Sequence, residues 1–198
     1  MRKINENGRS MVEMLGVLAI IGVLSAGGLA GYSKAMFKHK LNTTMDQLTM
    51  LVTNIRTMYG TQDNYEGLTA AQAIKLGIIP AAMRNGASAL VNPFKGVVNI
   101  ATTTSKTGAP ANTAFVVTYS GLPSEACIAL ATADWGSGAG SGFIGVAAAA
   151  SGNADASGAQ VGGSFGSPAR SEGQPYTVAN AINDCGDANT SSVSLKFY

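Results

Sequence analysis

The sequence has 198 residues, enough for one domain with a hydrophobic core, but only 12% of them are charged. The formal net charge of +2 provides no strong basic field, which argues against a nucleic-acid partner. One His and few acids leave no believable catalytic triad, and two cysteines outside any CxxC, far from His39, make a four-ligand zinc site unlikely. The Gly-rich run lacks the strand–loop–helix context of a phosphate-binding loop. The composition therefore predicts neither an enzyme active site nor a bound cofactor or metal.

The N-terminal region contains a long apolar segment. Residues Met14 to Ser33 include no Asp, Glu, Lys, Arg or His, and as a helix of about 30 Å they are long enough to cross a bilayer core. A basic start, Arg2 and Lys3, precedes the segment. These features fit a cleaved secretory signal, which would be cut near Ala26-Gly27-Gly28, or an uncleaved signal anchor.

Glu13 and Gly8 weigh against both of these interpretations. A carboxylate at the membrane edge is costly unless it has a partner. Cleavage after Gly8 would create an α-amino group on Arg9, at the same helix end as Glu13. An ammonium and a carboxylate attract strongly in a low-dielectric environment, so this cut would give Glu13 its partner.

Gly8, four further residues, Glu13 and an uninterrupted apolar run resemble the class III signal of type IV prepilins. The resemblance implies that a prepilin peptidase cuts between Gly8 and Arg9, that Arg9 is N-methylated and that Glu13 aids subunit docking. Arg9 departs from the pattern, since the first mature residue of these proteins is commonly apolar. The helix-breaking Pro that is frequent in the family's apolar segment is also missing. The Gly27-x-x-x-Gly31 spacing could soften the helix in its place, or it could serve close helix packing.

Beyond Ser33 the apolar residues narrow to a stripe with helical spacing. The stripe consists of Phe37, Leu41, Met45, Leu48, Val52, Ile55 and Tyr59. With Gly60 as a candidate cap, we expect one helix from Arg9 to about Tyr59, apolar on all sides in its first half and packed on a domain in its second half. We interpret Met36, Met45, Met50 and Met58 as core filler and His39 as a solvated residue.

Two helices and three strands are predicted in the C-terminal region. Thr69 and Gly77 are expected to cap a short helix that ends before Pro80, and Pro123 is expected to begin a second helix. Strands are predicted at 97–103, 114–119 and 192–197, with turns at 92–96 and 106–112.

The two cysteines, Cys127 and Cys185, form one disulfide if this region lies outside the cytoplasm, and are otherwise free buried thiols. The segments 68–80, 92–96 and 121–127 are similar to motifs of the type IVb-like branch of pilins. In that branch the two cysteines at these places are paired, so the resemblance implies the disulfide Cys127–Cys185.

The segment from Gly136 to Gly173 is rich in Gly, Ala and Ser. We expect a loop-rich surface there, with one or two weak strands near 143–148. On the outside of a filament it would act either as a contact surface or as an inert spacer.

The resemblance as a whole implies an α+β type IV pilin fold, in which a long N-terminal helix packs on an antiparallel β-sheet with a disulfide-closed C-terminal region. It implies a leader at 1–8, a transmembrane and filament-core half helix at 9–33, an amphipathic half at 34–60 and a globular head at 61–198. It further implies a structural subunit of a type IV pilus that is anchored in the bacterial inner membrane as a precursor and then polymerised at the cell surface. The expected partners are identical subunits, prepilin peptidase and the pilus assembly machinery.

Two alternatives stay open on the sequence. One is a pseudopilin of a type II secretion system, and the other is a bitopic or secreted binding protein that does not polymerise.

Overall fold

The structure is a computed structural model that describes residues 11–136, 141–160, 170–171 and 176–198. The chain divides into two compact units, Met1–Lys40 and Leu41–Tyr198. The predicted leader, including Gly8, and Arg9 lie outside the described residues.

Helix α1 spans Met11–Tyr59 without a break, and it passes through Gly27, Gly28 and Gly31 as regular helix. The predicted long helix is therefore confirmed, and it ends at the residue expected. The buried residues of α1 all lie in its last sixteen positions, from Thr44 to Tyr59. This asymmetry matches the change in the sequence from an all-round apolar segment to a stripe.

In the residues that the structure describes, the second unit contains the end of α1, three short helices, one 3₁₀ turn and one sheet. The helices are α2 (Ala70–Lys75), α3 (Ser124–Thr132) and α4 (Val178–Cys185), and the 3₁₀ turn is Ala81–Met83. The strands are β1 (Arg84–Asn85), β2 (Ala89–Val91), β3 (Val97–Thr103), β4 (Ala114–Leu122), β5 (Phe143–Ala149), β6 (Arg170–Ser171) and β7 (Ser191–Phe197). They form one sheet in the order β1-β2-β3-β4-β7-β5-β6, and every adjacent pair is antiparallel.

The last strand of the chain, β7, lies in the middle of this sheet between β4 and β5. All seven of its residues are buried, including the polar ones. The sequence predicts a strand at 192–197 with polar and apolar residues in alternation, a pattern that usually leaves one face in water. Here both faces are covered, because neighbouring chain segments lie over the polar face as well.

Aromatic rings connect the end of α1 to the centre of the sheet. Tyr59 packs against Tyr65, Tyr65 packs edge-on against Phe115, and Phe115 stacks on Phe197. On β4, Phe115, Val117 and Tyr119 are opposite Phe197, Leu195 and Val193 of β7, so these side chains share one face of the sheet. That face is the main hydrophobic core of the unit.

The caps predicted for the short helix α2 are present. The Thr69 side chain accepts a hydrogen bond from the Gln72 amide, as an N-cap should. Gly77 follows the C-cap residue Leu76 with φ +72, and the amides of Gly77 and Ile78 donate to the carbonyls of Ile74 and Ala73. This bonding pattern is a Schellman motif, which explains why a glycine stands at this position.

Two predictions for the second unit need correction. Met50 and Met58 were predicted to fill the core, but their side chains are 53% and 43% exposed, because they lie outside the buried stripe of α1. A strand does occur near 143–148, where one or two weak strands were predicted, but this strand, β5, is well buried and pairs with β7 over almost its whole length. Parts of the small-residue segment, 137–140, 161–169 and 172–175, lie outside the described residues.

Candidate functional site

The N-terminal half of α1 is an exposed apolar surface. From Met11 to Tyr32, the large hydrophobic side chains are between 52% and 85% exposed. These side chains are Met11, Val12, Met14, Leu15, Val17, Leu18, Ile20, Ile21, Val23, Leu24, Leu29 and Tyr32. A continuous apolar surface of this size far exceeds the scattered exposure usual in soluble proteins, so it marks a membrane or protein contact.

Helix α1 is also long and apolar enough to cross a membrane, judged by length and composition alone. The most apolar window of this helix has a mean hydropathy of 2.1 and no buried residue. A buried core helix of a soluble domain would have much of such a window covered. The exposure therefore agrees with a segment whose natural surroundings are lipid or other apolar helices.

Glu13 lies in the first turn of the described helix and is exposed. A carboxylate at this end interacts favourably with the helix dipole. The predicted cleavage and methylation site, Gly8 and Arg9, lies outside the described residues.

The head is closed by the disulfide Cys127–Cys185, which joins α3 to α4. Both cysteines are fully buried, and no free cysteine occurs in the chain. The pair that the family resemblance implied is therefore formed. It encloses β5 and the small-residue segment within one covalent loop.

Asn92 organises the turn between β2 and β3. Its Oδ1 accepts hydrogen bonds from the amides of Phe94 and Gly96, while its Nδ2 donates to the Ser120 carbonyl on β4. The turn predicted at 92–96 is thus fixed to the sheet by a single buried amide side chain.

Arg56 anchors the end of α1 to the start of β5. It donates from Nη1 to the Ser141 carbonyl at 2.8 Å, and its guanidinium lies against Gly142. A Cβ atom on Gly142 would come within 2.6 Å of this guanidinium, so the Arg56 side chain would have to move, and the φ of +73 at Gly142 also favours glycine. Sequence reasoning missed this role, because the partner of Arg56 is a backbone carbonyl far along the chain.

Lys196, a second residue that sequence reasoning missed, lies on β7 with its side chain 1% exposed. Its Nζ donates to the carbonyls of Ser157 and Ala159. Burial lowers the pKa of Lys196 to about 8, and the nearby Asp155 partly opposes this shift. The only sequence feature that bears on Lys196 is the alternation of polar and apolar residues along β7, and this pattern predicts an exposed lysine.

An open cleft of about 550 Å³ lies beside the last turn of α1, and its lining includes Arg56, Asn64 and Tyr65. Burial raises the pKa of the Tyr65 hydroxyl, and the positive charge of Arg56 partly offsets that effect.

Over the described ranges of the chain, no group of three His, Cys, Asp or Glu side chains is arranged to hold a metal ion.

Comparison of the chain with known proteins identifies a protein family. The family model described as bundlin matches residues 34–197. The chain is 28% identical over 142 residues to the major structural subunit of bundle-forming pilus from Escherichia coli O127:H6 (strain E2348/69, EPEC), and the match covers 70% of each chain. The corresponding protein of Escherichia coli O111:H- matches equally well, with the same identity of 28% and the same coverage of 70%.

Two solved structures have a similar fold. TcpA, a type IV pilin from Vibrio cholerae El Tor biotype, superposes with a TM-score of 0.58 at 18% identity, covering 81% of this chain and 99% of TcpA. The type IVb pilin from Salmonella typhi gives 0.52 at 20% identity, covering 78% of this chain and 97% of that pilin. These likenesses agree with the long helix, the antiparallel sheet and the disulfide described above. The chain therefore belongs to the bundlin family and has the type IV pilin fold.

Proposed function

We propose that this pilin is made as a membrane-anchored precursor, cut between Gly8 and Arg9, and polymerised as the structural subunit of a type IV pilus. The proposed divisions are a leader at 1–8, a membrane and filament-core segment at 9–33, an amphipathic helix segment at 34–60 and a head at 61–198. The role is structural and requires no catalytic group in the chain.

The observation that supports this function best is the exposed apolar half of α1. Its apolar surface has to be covered, first by lipid in the precursor and then by the same segment of neighbouring subunits. Transfer from lipid to a helix bundle keeps the apolar side chains out of water at every step. This explains how one segment can serve both as an anchor and as the core of a filament.

Glu13 is the proposed assembly residue. A carboxylate on an otherwise apolar helix end is costly to bury, and an α-amino group of Arg9 after cleavage offers it an opposite charge. An incoming subunit that brings this amine to Glu13 of a neighbour would satisfy both groups. The pairing thus favours the one docked position in which the amine and Glu13 meet, because at any other depth both charges would stay unpaired.

The family membership supports a pilus over the alternatives. The relatives from Escherichia coli are named as major structural subunits of a pilus, not as secretion pseudopilins or soluble binding proteins. Prepilin peptidase and the pilus assembly machinery are the partners that this function requires in the cell. The precursor would reside in the inner membrane and the filament at the bacterial surface.

The variant Glu13→Ala tests the role of the carboxylate. We expect the variant to be inserted and cleaved like the wild type, while the yield of sheared filaments falls at least about tenfold, which corresponds to the loss of one charge-assisted pair. Glu66→Ala, which removes an exposed carboxylate from the head, is the matched control and should leave the yield unchanged. Normal filament yield from Glu13→Ala would contradict the assembly role.

Mass spectrometry of the mature N-terminus tests the processing step. A chain that begins at Arg9 and keeps the apolar helix supports the pilin pathway. A chain that begins at Met1 or near Gly28 would instead support a signal anchor or a secreted protein.

A further inference from the structure

Residues 150–160, which we call the strap, lie across one face of the central sheet. Ala154 and Ala156 pack against Val116 of β4 and Ala147 of β5. Farther along, Ala159 joins a small cluster with Ala114 and Ile144. The strap has no helix or strand of its own, so side-chain packing and individual hydrogen bonds hold it in place.

The face beneath the strap has a row of polar side chains beside the apolar residues that the strap contacts. In the register of the sheet, Thr118 of β4 is opposite Ser194 of β7, and Val116 is opposite Lys196. Ser192, Ser194 and Lys196 alternate along β7 on this face, and all are buried. Serine, threonine and lysine are residues that normally face water, so these side chains, unlike Val116 and Ile144 beside them, are suited to solvent once the strap is removed.

Hydrogen bonds that water could replace connect the strap to the rest of the head. The Ala154 amide donates to Ser192 Oγ at 2.7 Å, and Lys196 Nζ donates to the carbonyls of Ser157 and Ala159. At the far end, Gln160 Nε2 donates to Thr107 Oγ1 at 2.7 Å. Water can satisfy each of these groups in an open state. Breaking a bond therefore costs about 1 kcal/mol, a factor of about five in the opening equilibrium, and somewhat more for the bonds of the Lys196 ammonium, but leaves no group unsatisfied.

The strap itself contributes few apolar atoms to this contact, and the larger apolar side chains that it covers are Val116 and Ile144 of the sheet. The buried side chains of the strap, Ala154, Ala156 and Ala159, carry one methyl group each. Gly152 takes a positive φ of +76 near the beginning of the strap, a conformation that glycine adopts without steric cost. Asp155 is exposed and stays in water in either state.

We propose that the strap is a detachable cover, which opens while the rest of the head stays folded and then exposes Lys196 and the neighbouring hydroxyl groups beside a small apolar patch. The head therefore has two surfaces on this side. When closed, it presents the exposed residues of the strap, and when open, it presents a polar patch with one ammonium group. Opening of this kind belongs to the local, low-stability class of native-state fluctuations.

Acetylation of lysines in the detergent-solubilised full chain tests this proposal. An N-hydroxysuccinimide acetate reagent labels exposed amines, and mass spectrometry of peptides then gives a rate for each lysine. Lys196 should be labelled at a measurable rate that does not change with urea below the unfolding transition. Lys95 and Lys106, both exposed, provide the reference rates in the same sample.

A pair of serine variants separates local opening from general weakening. Ser192→Ala removes the bond to the Ala154 amide and should accelerate the labelling of Lys196 about fivefold, as expected for one lost hydrogen bond. Ser120→Ala removes a comparable bond to the Val97 carbonyl away from the strap and should leave the Lys196 rate unchanged. The proposal is overturned if Lys196 is labelled only as the domain unfolds in urea, or if both variants change its rate equally.

Discussion

Lys196 is the residue at which the structure departs most from the sequence pattern. Its alternating strand predicts a lysine in water, yet its ammonium group is buried against two carbonyls of the strap. A lysine that is buried in the folded state and solvated in the unfolded state binds its proton less tightly when folded. The pH dependence of stability should therefore report on this one side chain.

The expected pH effect has a definite sign. The pKa of Lys196 falls from an ordinary value of 10.5 to about 8 on folding. Well below pH 8 the residue is protonated in both the folded and the unfolded state. Between pH 8 and pH 10.5 the unfolded chain binds more protons than the folded chain, so the free energy of unfolding rises with pH. We expect this group to add on the order of 2 kcal/mol to the free energy of unfolding over that interval.

Urea unfolding at pH 8.0 to 9.5 measures the effect, with Lys196→Met as the comparison. This interval stays below the range in which the buried Tyr119 hydroxyl, whose pKa is raised by burial, begins to matter. The free energy of unfolding of Lys196→Met should not rise with pH in this way, whatever its absolute value. Equal slopes for the two proteins would mean that Lys196 is not the group responsible.

Gly96 provides a second prediction at the residue scale. A Cβ atom at this position would lie 1.7 Å from the Ser120 carbonyl oxygen, which also accepts a hydrogen bond from Asn92. Gly96→Ala must displace backbone on both strands, and we expect a loss of about 3 kcal/mol in the free energy of unfolding. Gly158→Ala is the matched control, because no atom lies within 4 Å of its Cβ position, and it should stay within about 0.5 kcal/mol of wild type. A similar loss in both variants, measured by urea unfolding, would rule out the steric explanation.

At the scale of elements, local signals predicted well where local bonding decides the structure. The spacing of Thr69 and Gly77 identified a capped helix, and β3 was predicted with the bounds that the structure has. Strand β5 was underestimated, because its Gly and Ala residues have weak intrinsic strand preference and it is stabilised by pairing with β7. Met50 and Met58 were misassigned, since spacing identifies a stripe but does not decide which neighbouring positions stay outside it.

The cap of α2 allows a test at this scale. Thr69→Ala removes the acceptor for the Gln72 amide, so we expect a loss of about 1 kcal/mol in the free energy of unfolding. Thr53→Ala is the comparison, because Thr53 lies inside α1 and its hydroxyl only donates back to the Thr49 carbonyl. Alanine is a better helix former than threonine, so this control should not be destabilised. Thermal unfolding of the two variants in parallel distinguishes a cap effect from a general cost of losing a threonine.

At the scale of the whole molecule, the two units have opposite surface properties. The apolar half of α1 needs a partner to cover it, whereas the head buries its own core and is closed by a disulfide. The sequence could predict this division because hydropathy and helical spacing change within one helix. It could not predict the covering of the polar sheet face, since that depends on contacts between segments that are far apart in the chain.

The disulfide should account for a large part of the stability of the head. Cys127 and Cys185 are 58 residues apart, and closing a loop of that length restricts the unfolded chain. The chain-entropy relation gives about 4 kcal/mol for such a bond, so the double variant Cys127→Ser/Cys185→Ser should lose a comparable free energy of unfolding. Wild-type protein unfolded in the presence of a reductant is the companion measurement, because it removes the bond without introducing buried hydroxyl groups. If the reduced wild type and the oxidised wild type unfold at the same urea concentration, the bond does not stabilise the head, and packing of α3 and α4 around the two buried cysteines must hold them together instead.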